Sequence, residues 1–318
     1  MNNQRKKNYI IKLLSALGIS LLFIPLLLHG RQHFLRPMGT IREKMLFQGI
    51  IYQRNAVSIP RPVMIHVVAI DLATSGIKAF VTPGTKGKGT KARTASEFLG
   101  EFKLQLALNA SYFQHFREKT PWDYYPYSGD PSYPIGEAIS DGNRYAQPRE
   151  TWPVFCISQN NRIQILVSTK CSEDTISGVA GREILVKDGQ PLIIKSKDDK
   201  PYARVAAAID KENKKLWLIV VDGKQPEYSE GLTNAELAKF IASLGAQTAI
   251  GLDGGGSATL VMATNNGISV LNAPIHTKIP MRERPVANHL GFYAVPINAN
   301  LHTDLTPLPP FPTREGGN

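Results

Sequence analysis

"KLWLIVVDGKQPEYSEGLTNAELAKFIASLGAQTAIGLDGGGSATLVM", residues 215–262, decides how the rest of the chain is read. It opens on an apolar, β-branched run that stops at Asp222-Gly223, a strand followed by a turn. Thr233 and Glu236 then stand three residues apart, the spacing of a helix capping box. Leu237, Ile241 and Leu244 follow at helical spacing on one face, and Gly245 supplies a C-terminal stop. A second apolar run, "TAIGL", leads into Asp253, three glycines and Ser257, and "ATLVM" leads out. The order is strand, helix, strand, glycine turn, strand.

The three glycines need a reason. Glycine beside a strand loses more backbone entropy than any other residue and brings no side chain to pack. An ordinary hairpin turn uses one or two. Three leave the main chain bare, so that successive N–H groups can converge on an anion or a bulky ligand can lie against the backbone. Asp253 adds a carboxylate at the rim and Ser257 a hydroxyl. The stretch therefore reads as a binding or catalytic loop. It is not a nucleophile elbow, because Gly255-Gly256-Ser257-Ala258-Thr259 lacks the final glycine of G-x-S-x-G. It is not a calcium loop, because Asp253 is its lone carboxylate. The other glycine cluster, "PGTKGKGTK" at 83–91, breaks the G-K-[ST] order of a phosphate loop and reads as a mobile surface loop.

Outward from this stretch the body is strand-rich. "VMIHVVAIDL" and "GIKAFVTP" read as strands joined by the turn "ATSG". "WPVFCISQNNRIQILVST" reads as a hairpin around Asn-Asn, and "ARVAAAID" pairs with "KLWLIVVDG" across "KENK". A second capping box, Thr94 with Glu97, opens the helix "TASEFLGEF". The fold class expected is α+β: a strand-rich mixed sheet with a few packed helices, in one catalytic-type domain over 61–296. Residues 31–60 read as a tether, and 297–318, rich in Pro, Asn and Thr, as a disordered tail.

The net charge of +11 is concentrated at one end. Residues 1–60 hold nine Lys or Arg against one acid, Glu43, which leaves +3 for the other 258 residues. That distribution argues against nucleic acid as a partner. The basic start precedes an apolar run from Tyr9 to Leu28, and twenty helical residues span about 30 Å, enough for a bilayer. Residues 1–30 are expected to be a membrane anchor, with a cleaved signal peptide as the alternative. The basic cluster places the N-terminus inside and the body on the extracytoplasmic side; with signal cleavage the body is secreted or periplasmic. Cys156 and Cys171 are open to two readings, a disulfide in an oxidising compartment or two buried thiols. No C-x-x-C and no histidine at ligand spacing points to a metal, and no cofactor is expected.

Asn109, Arg204, Asp222, Glu283, Arg284 and Asn288 punctuate strand ends. Singly, each reads as a turn former or a solvated charge. Together with the glycine loop they carry a resemblance. "ARVAAAID", the 215–262 stretch and "RERPVANHLGFYAV", with "LALNASYF" and "GEAISDG" upstream, resemble the phosphodiester glycosidase family, that of the mannose-6-phosphate uncovering enzyme and its bacterial relatives. The resemblance covers about 61–296. It implies hydrolysis of a sugar joined through its anomeric carbon to a phosphodiester. Asp253, Gly254, Gly255, Gly256 and Ser257 would form the active-site loop, with Asn109, Arg204, Asp222, Glu283, Arg284 and Asn288 around it. The chain departs from the family at Asn109-Ala110-Ser111, where Asn-Gly-Gly is common, and the added side chains would narrow the pocket.

The chemistry agrees. An oxocarbenium-like state needs a nearby carboxylate, here Asp253, with Glu283 or Asp222 as its partner. A phosphate leaving group needs charge stabilisation more than acid assistance, a task for Arg204 and the loop amides. The expected partner is a phosphorylated carbohydrate or glycopolymer. The alternative is a non-catalytic factor that binds such a polymer during envelope or exopolysaccharide assembly.

Overall fold

The computed structural model describes residues 2–85, 89–167, 170–192 and 199–297. Its core is two antiparallel sheets face to face. The larger, counted among the described residues, has eight strands in the order Ile41–Phe47, Ile50–Val57, Val63–Asp71, Lys215–Val221, Arg204–Ile209, Thr248–Leu252, Glu183–Lys187 and Gln190–Pro191. The second runs Gly267–Val270, Leu260–Thr264, Leu106–Asn109, His289–Tyr293, Lys78–Val81. A third sheet centres on Thr175–Ala180 and contains the expected hairpin of Val154–Ser158 with Ile163–Leu166.

The strand "KLWLIVV" is apolar throughout because both of its faces are buried. Successive side chains of a strand point to opposite faces. Leu216, Leu218 and Val220 pack in the core between the sheets, with Leu106, Leu108, Leu290 and Phe292 of the second sheet. Trp217, Ile219 and Val221 face the other way, against Leu237, Phe240 and Ile241 of a helix. That helix is Asn234–Ser243 (α3 in chain order), and Thr233 with Glu236 closes the capping box the sequence predicts. The helix Ala95–Phe102 (α2) has the other box, Thr94 with Glu97, and covers the outer face of the second sheet through Phe98 and Leu99. The layers are therefore helix, sheet, sheet, helix, and the strand-rich α+β class is correct.

The expected turn joins Val63–Asp71 to Lys78–Val81, and because the two strands enter different sheets it is a crossing. One local expectation changes. Residues expected within a tether form the strands Ile41–Phe47 and Ile50–Val57, and the second pairs along Val63–Asp71 from Ile50 opposite Ile70 to Val57 opposite Val63. The basic residues there mask an alternation in which Ile50 and Tyr52 are buried.

At the N-terminus the expected anchor lies in one long helix, Asn2–Phe34 (α1), with Tyr9, Leu13, Leu17 and Leu27 exposed. Among the described residues no helix is long and apolar enough to cross a membrane. Residues 86–88 of the surface loop and 298–318 of the tail lie outside the described residues.

Cys156 and Cys171 form a disulfide across 15 residues of sequence. In the chain-entropy model a loop of that length is worth about 3 kcal/mol. The double variant Cys156→Ala/Cys171→Ala is expected to lose about that much stability in urea unfolding; an unchanged midpoint would contradict a stabilising crosslink.

Candidate active site

The antiparallel register assembles the site. Thr248–Leu252 lies between Glu183–Lys187 and Arg204–Ile209 and runs opposite to both, with Gly251 facing Glu183 and Leu252 facing Val205. The end of the central strand therefore meets the beginnings of its two neighbours. Asp253, Glu183 and Arg204 gather at one edge of the sheet although 70 residues separate the first two. Alternation places all three on the α3 side, since Leu252 and Val205 face the core between the sheets. They line a cavity of about 500 Å³ whose wall also includes Asn234 and Leu237 of α3, Tyr112, Phe116, Tyr202, Arg182, Lys224 and Arg284.

The glycine loop links the two sheets: it leaves the larger sheet at Leu252, forms a single 3-10 turn over Gly255–Ser257 and joins the second at Leu260. Each glycine is required by the protein itself. A Cβ on Gly254 would sit 2.4 Å from the Ala203 carbonyl oxygen. Gly255 has φ +62°, and its Cβ would lie 2.8 Å from the Tyr202 ring. A Cβ on Gly256 would lie 2.3 Å from Arg284 Nη2. The bare backbone is thus covered largely by neighbouring groups. Three of its amides are also engaged: Gly254 donates to the Asp253 carboxyl, Gly255 to Ala203 O and Ser257 to Gly254 O. The loop walls the cavity through Gly254, Gly255 and Gly256, and the charged side chains, not its amides, dominate what an anion would meet.

Arg284 is the most elaborately held of these. It is 9% exposed and lies 4.5 Å from the Phe116 ring centroid. Its Nη1 donates to Ser257 Oγ at 3.0 Å, its Nε to His276 Nδ1 at 3.2 Å, and its Nη2 to Glu118. Burial disfavours ionisation of Glu118, but the guanidinium beside it outweighs that and holds the carboxyl below its usual range. Burial and the same guanidinium keep His276 neutral, as its acceptor role at Nδ1 requires.

Asp253 behaves oppositely. Burial pushes its carboxyl up to about 6, against the lowering effects of the Ser257 hydrogen bond, Arg284 and the Gly254 N–H. Burial also raises Glu183, with Arg204 and Arg182 working against it. The cavity thus holds two carboxyls that are easily protonated among four cationic side chains. Arg204 is oriented by Leu232 O at 3.0 Å, Asp199 Oδ1 at 3.3 Å and Lys200 O at 3.1 Å. Among the described residues no group of three or more His, Cys, Asp or Glu side chains could hold a metal.

Five residues expected at the site do not line the cavity, Ser257 among them, which is fully buried and accepts from Arg284 Nη1. Asn109 is a clamp, donating to Asp253 O at 2.5 Å and accepting from Thr259 N at 3.0 Å. Asn288 accepts from Ser111 N at 2.9 Å and is fully buried. Asp222 follows Val221 and so turns to the opposite face from Arg204; there it accepts from His66 Nε2, Asn272 Nδ2 and Ala273 N at 2.9–3.0 Å. Glu283 points away from its neighbour Arg284 and accepts from Ser96 N and Oγ at the start of α2. Neither Glu283 nor Asp222 lines the cavity; the carboxyls that line it with Asp253 are those of Glu183 and Glu118. Sequence reasoning missed Glu183, Glu118, Tyr112, Phe116 and Tyr202; the charged pair Arg182-Glu183 opening an apolar strand was the available signal.

Two substitutions test this arrangement. Gly256→Ala must displace the Arg284 guanidinium and is expected to cost about 1–3 kcal/mol in denaturant unfolding; an unchanged stability would contradict the close packing. Asp253→Asn tests the raised carboxyl. Because the folded protein holds that proton more tightly than the unfolded chain, wild-type stability falls as pH rises from the ordinary carboxylate range through about 6. The variant is expected to be more stable than wild type at pH 7.5 by on the order of 1–3 kcal/mol, the gap closing toward pH 4. A gap independent of pH would refute the assignment.

The phosphodiester glycosidase family matches over residues 102–293. A search among curated proteins finds no match. Among solved structures, a hypothetical protein from Synechocystis superposes with a TM-score of 0.61 at 12% identity, over 81% of this chain and 64% of that one. The catalytic domain of zebrafish N-acetylglucosamine-1-phosphodiester alpha-N-acetylglucosaminidase, auto-inhibited by its pro-peptide, gives a TM-score of 0.58 at 20% identity, over 81% and 85%. A putative exported protein from Burkholderia pseudomallei gives 0.50 at 15% identity, over 73% and 74%. These structures share the fold, and the family match covers most of the two-sheet body and the glycine loop: the chain belongs to the phosphodiester glycosidase family.

Proposed function

We propose that this protein hydrolyses the bond between the anomeric carbon of a sugar and the oxygen of a phosphodiester. One observation carries the reading: the same cavity of about 500 Å³ holds the carboxyls of Asp253 and Glu183 and the cations of Arg182, Arg204, Lys224 and Arg284. Its size suits a ligand of sugar-phosphate dimensions. As the C1–O bond breaks, positive charge grows on the sugar and negative charge on the departing phosphate. Asp253, ionised, stabilises the sugar cation or bonds to C1. Arg204 and Arg284 receive the phosphate. Glu183 takes a proton from the water whose oxygen ends on C1. The products are a free sugar and a phosphomonoester.

The substrate is expected outside the cytoplasm, and the Cys156–Cys171 disulfide supports an oxidising compartment. The first diester to try is that of N-acetylglucosamine, the sugar in the name of the zebrafish domain with the similar fold.

The full chain is assayed on chromogenic sugar-1-phosphodiesters and on plain glycosides. Turnover of a phosphodiester is expected, with kcat/KM rising with pH through about 6 as Asp253 ionises. Asp253→Asn is expected to lower kcat by about a hundredfold or more. No turnover of any diester, with equal phosphoglycan binding by wild type and variant, would instead identify a non-catalytic binding factor.

A further inference from the structure

We propose that Glu118 sets the charge of the ligand the cavity accepts: it admits a phosphodiester with one negative charge and turns away a phosphomonoester with two. This rests on the function proposed above, and it makes Glu118 the residue that separates substrate from product. Hydrolysis of the diester releases a monoester whose second ionisation falls at about 6. At neutral pH the product therefore carries one more negative charge than the substrate, on the same phosphate. A cavity lined only by cations would hold the product more tightly than the substrate.

The cavity is not lined that way. Four cationic side chains face three carboxyls, Asp253, Glu183 and Glu118. With all three ionised, one positive charge is in excess. That matches a diester and falls short of a monoester. Asp199, outside the lining, also pairs with Arg204 at 3.3 Å.

Glu118 is the carboxyl placed to act through charge alone. Asp253 and Glu183 are assigned to the bond that breaks and the water that adds. Glu118 instead shares Arg284 with the phosphate: its Oε2 accepts from Arg284 Nη2, while Nε and Nη1 of the same guanidinium are engaged by His276 and Ser257. A phosphate received by that guanidinium lies beside the Glu118 carboxylate, so each negative charge it brings is repelled there. The position of Glu118 is fixed by its neighbours. Its strand, Arg117–Glu118, pairs with Tyr124–Tyr125, with Glu118 opposite Tyr124. The Tyr124 ring meets His276 edge-on at 4.6 Å, and its hydroxyl accepts from Arg282 Nη2 at 3.0 Å. The strand that carries Glu118 is thus seated on the two residues, His276 and Arg282, that flank Arg284 in space and in sequence.

The test uses phenyl phosphate as the monoester and methyl phenyl phosphate as the diester. Neither has an anomeric carbon, so the active full-length protein leaves both intact. Affinities are measured by ³¹P NMR titration at about pH 8, where the monoester is a dianion. Wild type is expected to bind the diester about tenfold more tightly. Glu118→Gln keeps an oxygen for Arg284 and loses the charge. Because repulsion scales with ligand charge, it is expected to raise diester affinity about tenfold and monoester affinity about a hundredfold, which brings the ratio to about one. Glu118→Asp keeps the charge and is expected to keep the preference. A role confined to holding Arg284 would change both affinities by the same factor. That outcome, a preference lost in Glu118→Asp as well, or no binding of either ester by wild type overturns the assignment. Discrimination by a protein that cleaves no sugar-1-phosphodiester would keep this role for Glu118 and reject the hydrolase; cleavage with a ratio unmoved by Glu118→Gln would do the reverse.

Discussion

The structure depends on holding one short crossover at both ends. The glycine loop carries the chain from the larger sheet to the second, and Asn109 fixes it from the neighbouring strand by bonding to Asp253 O and Thr259 N. The Asp253 N–H, bonded to Ala110 O at 2.9 Å, adds a third tie. Neither sheet could set the loop alone. Once it is pinned, the position of Asp253 relative to Glu183 and Arg204 follows from the register of three strands, and rigid strands position side chains better than loops do.

Around this frame, electrostatics divides the charged groups into two kinds. Arg284 is pressed between Phe116 and Gly256 and balanced by Glu118, so its charge is paid for locally and its position fixed. Asp253 is left with too little compensation for its burial. A carboxyl in that state destabilises the fold when ionised, and such sites recur where chemistry needs a poised group. The same logic separates Asp222, whose three close partners satisfy it inside the core, from the cavity carboxyls.

Much of the fold was legible because its signals are local. Both capping boxes, the hairpins and the sheet-buried run "KLWLIVV" follow from neighbouring residues. Asp253, Arg204 and Arg284, which line the candidate cavity, were singled out from motif and resemblance. The rest required information that spacing does not hold. Glu183 reaches Asp253 only through strand pairing, and Asp222 and Glu283 are turned away by alternation along the chain. Gln53 and Asn55, buried yet polar, disguised an inner strand as a tether. The glycines were read as positions where a ligand approaches the backbone; protein atoms of Ala203, Tyr202 and Arg284 make a close approach there.

The central claim is that the chemistry occurs at carbon, with the phosphate as leaving group. Hydrolysis of a sugar-1-phosphodiester in ¹⁸O-water, followed by mass spectrometry of the phosphomonoester, tests it most directly. The arrangement of Asp253 and Glu183 predicts a phosphomonoester free of label, because water adds to C1 and the C1–O bond breaks. Label in the phosphate would mean attack at phosphorus, and would contradict the account.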